Sequence, residues 1–175
     1  MYKFNGSSWV KLLQKWTDIT ITGKEGTNTF HLKSIDTHSN ESDESVSVVV
    51  IDTTPPPKPI ISDMDSMSNK TELKFSWVCN SSDLKEFLYR INRGSWIRID
   101  KSLTSVTLKS IQGQNRFEIK AIDSVGNESD IAEYIVVSDF KPPNPPSLVK
   151  IESPTNSPRL FFSWLSEELV GFRYR

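Results

Sequence analysis

The sequence has little of what would assign a chemistry to it. Its single cysteine, Cys79, cannot form an internal disulfide, so the chain is not a disulfide-stabilised scaffold. The 21 basic and 22 acidic residues balance and form no basic stripe, which argues against nucleic-acid binding. No apolar run approaches the roughly 18 residues of a membrane span. The sequence therefore predicts no nucleic-acid partner and no membrane span in this segment.

Catalytic groups are scarce as well. The two histidines, His31 and His38, cannot be combined with a nucleophile and an acid into a recognisable triad. There is no glycine-rich phosphate-binding loop. We therefore expect a protein that is not an enzyme and that needs no cofactor, apart from the calcium considered below.

What the sequence does have is an internal repeat with a period of 87 residues. Residues 2–52 align with residues 89–139 without a gap, and 19 of the 51 aligned positions are identical. The same shift carries residues 75–77 onto 162–164, which both read Phe-Ser-Trp. A fixed period of this size indicates tandem copies of one structural unit.

The prolines mark the boundaries of these units. All ten lie between 55 and 59 or between 142 and 158. Proline cannot donate to a sheet, and proline-rich linkers are stiff spacers. We interpret residues 1–52 as the C-terminal part of one unit, 53–139 as a complete unit, and 140–175 as the N-terminal part of a further unit.

Each unit has the pattern of β-structure. Apolar and polar residues alternate over 73–77 and 116–121, and likewise at Ile19-Thr20-Ile21 and its copy 106–108, as in half-buried strands. The complete unit is predicted to form seven strands, at roughly 59–63, 72–79, 86–92, 96–99, 105–109, 115–123 and 131–138. Seven short strands in a unit of this size predict an all-β fold, a β-sandwich.

One run carries a family resemblance. Residues 113–127 read G-x-N-x-F-x-I-x-A-I-D-x-x-G-N, after Phe-x-Trp at 75–77 and Tyr-Arg-Ile-Asn at 89–92. Together these motifs resemble fibronectin type III-like and bacterial immunoglobulin-like repeats of extracellular bacterial proteins. The resemblance implies seven-stranded sandwiches in tandem, one complete and two partial, outside the cell or on its surface.

Apolar residues on the alternating strands are the candidate core. They are Phe75, Trp77, Tyr89, Phe117, Ile119 and Trp164. Loss of one such aromatic anchor from a core costs roughly 3–5 kcal/mol.

Two other tryptophans are candidates for ligand binding. Trp9 and Trp96 follow a predicted hairpin turn and have charged neighbours. An exposed tryptophan on a sandwich can stack on a sugar ring, and the alternative is simple packing along the sheet. A carbohydrate surface is therefore one expected partner, besides neighbouring repeats of the same chain and host surface ligands.

Acidic residues recur near the ends of the predicted strands. Asp123, Asn127, Asp130 and Asp139 all have copies one period earlier. Calcium prefers six to eight hard oxygen ligands, which acidic loops at domain junctions can supply. The alternative is that these side chains cap turns. Calcium is therefore a candidate ligand of this set.

These observations predict a non-catalytic spacer or adhesion segment of a larger secreted or cell-surface bacterial protein. The alternative is an accessory module of a secreted polysaccharide-degrading enzyme, which either binds carbohydrate through Trp9 and Trp96 or spaces the catalytic domain. The two partial units have complementary strands, so we also expect that copies of the chain can associate head to tail.

Overall fold

The computed structural model describes residues 1–13, 16–150, 153, 156, 158–166 and 171. The described residues form β-strands and no helix, so none of them belongs to a helix able to cross a membrane. The strands are β1 (Tyr2–Phe4), β2 (Gly26–Leu32), β3 (Ser45–Ile51), β4 (Ile60–Ile61), β5 (Met67–Ser68), β6 (Glu72–Val78), β7 (Leu84–Ile91), β8 (Ile97–Asp100), β9 (Ser105–Lys109), β10 (Gly113–Asp123), β11 (Ala132–Ser138), β12 (Ser147–Leu148) and β13 (Trp164–Leu165).

The middle part of the chain forms a two-sheet β-sandwich. One sheet has the order β4-β6-β9 and the other β5-β11-β10-β7-β8. A strand forms within each of the seven predicted segments, and the all-β fold class is confirmed. The sequence analysis missed β5, a two-residue strand that pairs parallel with β11. It was missed because two residues are too few for an alternation pattern to show.

The core of the sandwich lies between its two sheets. The ring of Phe117, on β10, stacks on that of Phe75, on β6, with 4.3 Å between centroids and 7° between planes. Trp77 and Tyr89 each lie 6.0 Å from the same ring. These four side chains and that of Ile119 are buried. Aromatic contact across the sheets therefore holds the sandwich closed.

Strands β1, β2 and β3 form a sheet that matches β7, β10 and β11 in register. Tyr2 pairs with Leu32 as Tyr89 pairs with Ile119. Leu32 is nevertheless 41% exposed, whereas Ile119 is 0% exposed. No second sheet among the described residues covers this one, so its inner face stays in contact with solvent.

The predicted strand around Ile19-Thr20-Ile21 does not form. Its copy is β9, which is paired with β6. The described residues of the first unit contain no equivalent of β6, so residues 19–21 have no strand to pair with. An alternating pattern is not sufficient when the pairing partner is missing.

Strands β12 and β13 repeat the pairing of β4 and β6. Leu148 pairs with Trp164 just as Ile61 pairs with Trp77. The expectation that Trp164 is a core residue is wrong, because its side chain is 45% exposed while that of Trp77 is 1% exposed. The last unit keeps this strand pairing, but no opposite sheet among the described residues covers Trp164.

The first proline-rich connection is packed against the protein. Pro56 and Pro59 are buried, which a free spacer would not show. The thiol of Cys79 donates a hydrogen bond to the carbonyl oxygen of Pro57 at 3.3 Å. Burial raises the pKa of this thiol, which disfavours the reactive thiolate.

The closed core predicts that alanine substitution lowers the stability of the middle unit unequally at two equivalent phenylalanines. Phe117→Ala should destabilise the middle unit by roughly 3–5 kcal/mol, because it empties the centre of a closed core. Phe30→Ala, one period earlier, should leave the middle transition in place, because its ring is only partly buried. Differential scanning calorimetry measures both. An equal fall of the middle transition in the two variants would contradict this account.

Candidate functional site

Trp9 and Trp96 are placed by equivalent hairpin turns. Residues 5–6 have φ of 48° and 75°, and residues 92–93 have φ of 50° and 59°. Two successive positive values are typical of the two-residue turns that match the twist of paired strands. The turn returns the chain along the preceding strand, so each tryptophan comes to lie beside it.

The asparagine of each turn also ties the hairpin to the neighbouring strand. The Oδ1 atom of Asn92 accepts from the backbone N–H of Arg116 at 2.8 Å. In the first unit, Oδ1 of Asn5 accepts from the N–H of Thr29 at 2.9 Å. This side-chain bond explains why asparagine occurs in both copies although the second turn residue differs.

Two cationic groups lie over each indole ring. The Nζ atoms of Lys3 and Lys33 are 4.7 and 4.3 Å from the ring centroid of Trp9. The Arg90 guanidinium carbon and the Lys120 Nζ are 4.4 and 5.0 Å from the centroid in the second copy. We call each set of one tryptophan and two cations a tryptophan–cation cluster. A cation this close to an indole face is attracted by the ring quadrupole.

Carboxylates hold the cations in place. Arg90 donates from Nε and Nη2 to the two oxygens of Glu118, at 2.8 and 2.9 Å. Glu118 is 2% exposed, and the hydrogen bond from Arg90 is the main cause that lowers the pKa of its carboxyl group. Lys120 pairs with Glu128. The buried Glu118 carboxylate thus holds the Arg90 guanidinium in place.

In the first unit, a different acid neutralises the charge of the first cation in the equivalent cluster. His31 replaces Glu118 there, and the acid is supplied instead by Glu44. Glu44 accepts from Lys3 at 3.3 Å and lies 2.9 Å from the His31 ring nitrogen. The hydrogen bond with His31 is the main cause that lowers the pKa of Glu44. The cluster keeps an acid beside its first cation in both copies.

The basic residues of the clusters were missed by the sequence analysis. In each copy, one basic residue comes six residues before the tryptophan and the other comes 24 residues after it. Basic residues that recur at these two spacings from an identical tryptophan are the sequence signal from which the clusters could have been predicted. The cations lie within 5.0 Å of the ring centroids, so their closeness disfavours stacking of a sugar on the same ring face.

A hydrogen-bonded loop follows β10. The Oδ1 atom of Asp123 accepts from three backbone N–H groups, those of Val125, Gly126 and Asn127, at 2.7–3.0 Å. The Asn127 side chain donates to Oδ2 at 2.8 Å. Burial raises the pKa of Asp123, but these hydrogen bonds together outweigh it and leave that pKa below its ordinary value. Asp36 organises the equivalent loop of the first unit.

The same aspartate belongs to a group of three acids at the boundary between the first two units. The carboxylate oxygens of Asp52, Asp83 and Asp123 lie within 4.8 Å of one another. Asn127 crosses the boundary and donates from Nδ2 to the Asp52 carbonyl oxygen at 3.1 Å. We call these four residues the aspartate junction. Carboxylate oxygens are the ligands that calcium prefers.

The junction contains two of the four residues predicted as metal ligands. Asp123 and Asn127 are in it, whereas Asp130 is an exposed residue outside it. Asp139 also lies elsewhere, and its Oδ1 accepts from the Gln112 amide at 2.6 Å. Sequence reasoning missed Asp83, because that residue lies outside the gapless 51-residue alignment in which the other acids recur.

Comparisons with known proteins find similar solved structures but no family. No family model matches the chain, and no curated protein matches it. A segment of two fibronectin type III domains from chicken tenascin is 18% identical, over 64% of this chain and 65% of that one, with a TM-score of 0.39. Fibronectin(III)-like modules of Clostridium thermocellum CbhA are 14% identical, over 46% of this chain and 94% of that one, with a TM-score of 0.39.

A third similar structure is the spore cortex lytic enzyme SleM of Clostridium perfringens. It is 18% identical, over 48% of this chain and 29% of that one, with a TM-score of 0.41. Similar solved structures are mostly fibronectin type III domains, as the sequence motifs predicted. At these identities the likeness concerns the fold alone.

The tryptophan–cation cluster predicts that Lys120 stabilises the protein through the ring. Lys120→Met keeps the aliphatic stem and should cost about 0.5–1 kcal/mol in urea unfolding. Glu128→Gln is the control, because it removes the exposed ion pair and leaves the cation over the ring. The cost of Lys120→Met should also vanish in a Trp96→Leu background. Equal costs for the two single variants would assign the effect to the ion pair.

The aspartate junction predicts that Asp83→Asn stabilises the chain in a chelating buffer of low salt. The amide oxygen keeps the bond from Ser81, while one of three mutually repelling charges is removed. The gain should be on the order of 0.5–1 kcal/mol. Asp65→Asn, at an exposed acid outside the junction, is the control. A loss of stability, or a calcium-dependent gain in the parent that Asp83→Asn abolishes, would contradict simple repulsion.

Proposed function

We propose that this chain is a non-catalytic spacer or adhesion segment of a larger bacterial protein that is secreted or displayed on the cell surface. The observation that carries the proposal is the docked boundary between the first two units. The hydrogen bond from Asn127 to the Asp52 carbonyl joins a loop of one unit to the residue that directly follows β3 of the other.

The connection itself supports the same conclusion. Glu25 accepts from the backbone N–H and the hydroxyl of Thr53, at 2.9 and 2.6 Å. Three residues further on, Pro56 is buried, and so is Pro59. A linker that is anchored at Thr53 and buried at Pro56 and Pro59 has restricted bending between units. Such restriction is what a spacer needs to set the distance of its neighbours.

The proposed location rests on the sequence motif at residues 113–127, which resembles repeats of extracellular bacterial proteins. The proposed partners are neighbouring repeats of the same chain and surface ligands of a host. Neither a nucleic acid nor a membrane span is part of the proposal.

An accessory module of a polysaccharide-degrading enzyme is the second candidate. What favours it is that Trp9 and Trp96 recur and are only half-buried. Retention of the chain on insoluble polysaccharide, lost in Trp96→Ala and kept in Trp16→Ala, would support this candidate. Trp16 is a suitable control because it is 52% exposed and has no equivalent tryptophan in the second unit.

The spacer proposal is tested by the spread of distances between equivalent points of two units. Spin labels on Thr37→Cys and Ser124→Cys, in a Cys79→Ser background, lie one period apart. Double electron–electron resonance should give a narrow distribution, which Asn127→Ala broadens.

Asn40→Ala is the matched control for that measurement. Asn40 makes the same bond to the aspartate of its own loop, at 2.8 Å, and bonds to no other unit within the described part of the chain. It should leave the distribution narrow. A broad distribution in the parent chain, or equal broadening in both variants, would overturn the proposal of a restricted spacer.

A further inference from the structure

The turn of the first hairpin contains the only Asn-Gly dipeptide of the sequence, Asn5-Gly6. Asparagine is thermally labile, and it is most labile before glycine, because glycine has no Cβ to hinder its backbone nitrogen. We propose that Asn5 is a site of spontaneous deamidation. The closed hairpin protects Asn5, opening of the hairpin exposes it, and the modified residue then prevents the hairpin from closing as before.

The reaction needs water and no other partner. The Gly6 nitrogen loses its proton to the solvent and forms a bond to Cγ of Asn5, while the bond from Cγ to Nδ2 breaks and Nδ2 leaves as ammonia. Water then opens the cyclic succinimide. The product carries aspartate at position 5, or isoaspartate where the main chain continues through the former side chain.

The closed hairpin holds the Asn5 side chain away from Gly6. Its Oδ1 accepts from the backbone N–H of Thr29 at 2.9 Å, and its Nδ2 donates to Oδ1 of Asn28 at 2.9 Å. Both partners belong to β2, the strand beside β1. A nucleophile reacts only when it is close to and aligned with the atom it attacks. Rotation of the Asn5 amide toward Gly6 therefore requires that both bonds to β2 break.

Asn28 is a fixed anchor for this amide. Its side chain is 2% exposed, and its Oδ1 also accepts from the backbone N–H of Lys24 at 3.0 Å. Its Nδ2 donates to the carbonyl oxygens of Lys24 and Gly26, at 2.7 and 2.9 Å. These bonds fix which atom of Asn28 faces Asn5. Gly6 itself is exposed, and its N–H has no acceptor among the described residues, so protection depends on the asparagine side.

The second unit has the same turn without the labile dipeptide. Asn92 and Arg93 have φ of 50° and 59°, and the Arg93 side chain hinders attack by its own backbone nitrogen. Oδ1 of Asn92 accepts from the N–H of Arg116 at 2.8 Å. Its Nδ2 makes no hydrogen bond within the described part of the chain. The additional bond from Nδ2 thus occurs in the copy that contains Asn-Gly.

The product does not fit the closed hairpin. Deamidation replaces Nδ2 of Asn5 by a carboxylate oxygen, which then faces Oδ1 of Asn28 across the former hydrogen bond. Two acceptors without a proton between them are unfavourable, and Asn28 cannot turn because its other atoms are bonded. Isoaspartate also lengthens the backbone of the turn. Since this turn places Trp9 beside β1, the modification disrupts the first tryptophan–cation cluster.

The first test follows conversion at Asn5 in the whole 175-residue chain by peptide mapping with mass spectrometry, at mildly alkaline pH with and without urea. Asn5 should convert to aspartate and isoaspartate in urea. Without urea the conversion should be slower by roughly tenfold or more, because two hydrogen bonds must break first. Asn28→Ala removes the acceptor of Nδ2 and should raise the rate without urea by roughly fivefold.

Two control variants exchange the dipeptides between the units. Gly6→Arg copies the turn of the second unit and should stop conversion at Asn5 in both solutions. Arg93→Gly should make Asn92 convert in urea as fast as Asn5 does. The proposal is overturned if the parent converts at equal rates with and without urea, if it does not convert in urea, or if Asn28→Ala leaves the rate without urea unchanged.

The second test uses Asn5→Asp as a mimic of the product. The backbone amides of Tyr2 and Val10 bond to each other's carbonyl oxygens across the first hairpin, at 2.9 and 2.7 Å. Their hydrogen exchange should become roughly tenfold faster in this variant. Asn92→Asp is the matched control and should leave the second hairpin protected. Unchanged exchange in Asn5→Asp, or equal losses in the two variants, would overturn the role given to the bond with Asn28.

Discussion

A sheet with one apolar face can bury that face only against another layer, and this constraint controls the rest of the structure. Phe117 is 0% exposed because Phe75 stacks on it from the opposite sheet. Its copy Phe30 lies at the equivalent register position of the equivalent strand, and it is only partly buried. The difference between the two residues lies in the covering layer and not in their own sequence.

Local structure forms without that closure. The turn asparagine bonds to the neighbouring strand, and basic residues lie over the recurring tryptophan, in the open first sheet as in the closed sandwich. All of these contacts join neighbouring strands of one sheet or residues within a few positions of each other. Short-range hydrogen bonds thus fix the shape of each sheet, and long-range aromatic contact fixes how sheets pair.

This division explains what the sequence could predict. The period, the strand positions and the turns depend on nearby residues, and the pattern showed them. The exposure of Trp164 depends on a covering sheet, which no property of residues 162–164 reveals. Asp83 joins Asp52 and Asp123 only through folding, because 31 residues separate it from the first and 40 from the second. Packing across layers therefore depends on contacts between residues that are far apart in the sequence.

The aspartate junction shows what the repeat preserves between units. Asp52 recurs as Asp139, one full period later. Residues 81–90 align with residues 166–175 at a shift of 85 instead of 87, so Asp83 corresponds to Glu168 in the sequence. Asp52 and Asp139 each accept from the backbone N–H two residues further on, at 3.1 and 3.3 Å, so both cap a turn of their own copy. The recurrence of this aspartate is thus explained within each copy, whereas the approach of Asp52 to Asp83 and Asp123 is a contact between units that only the folded chain shows.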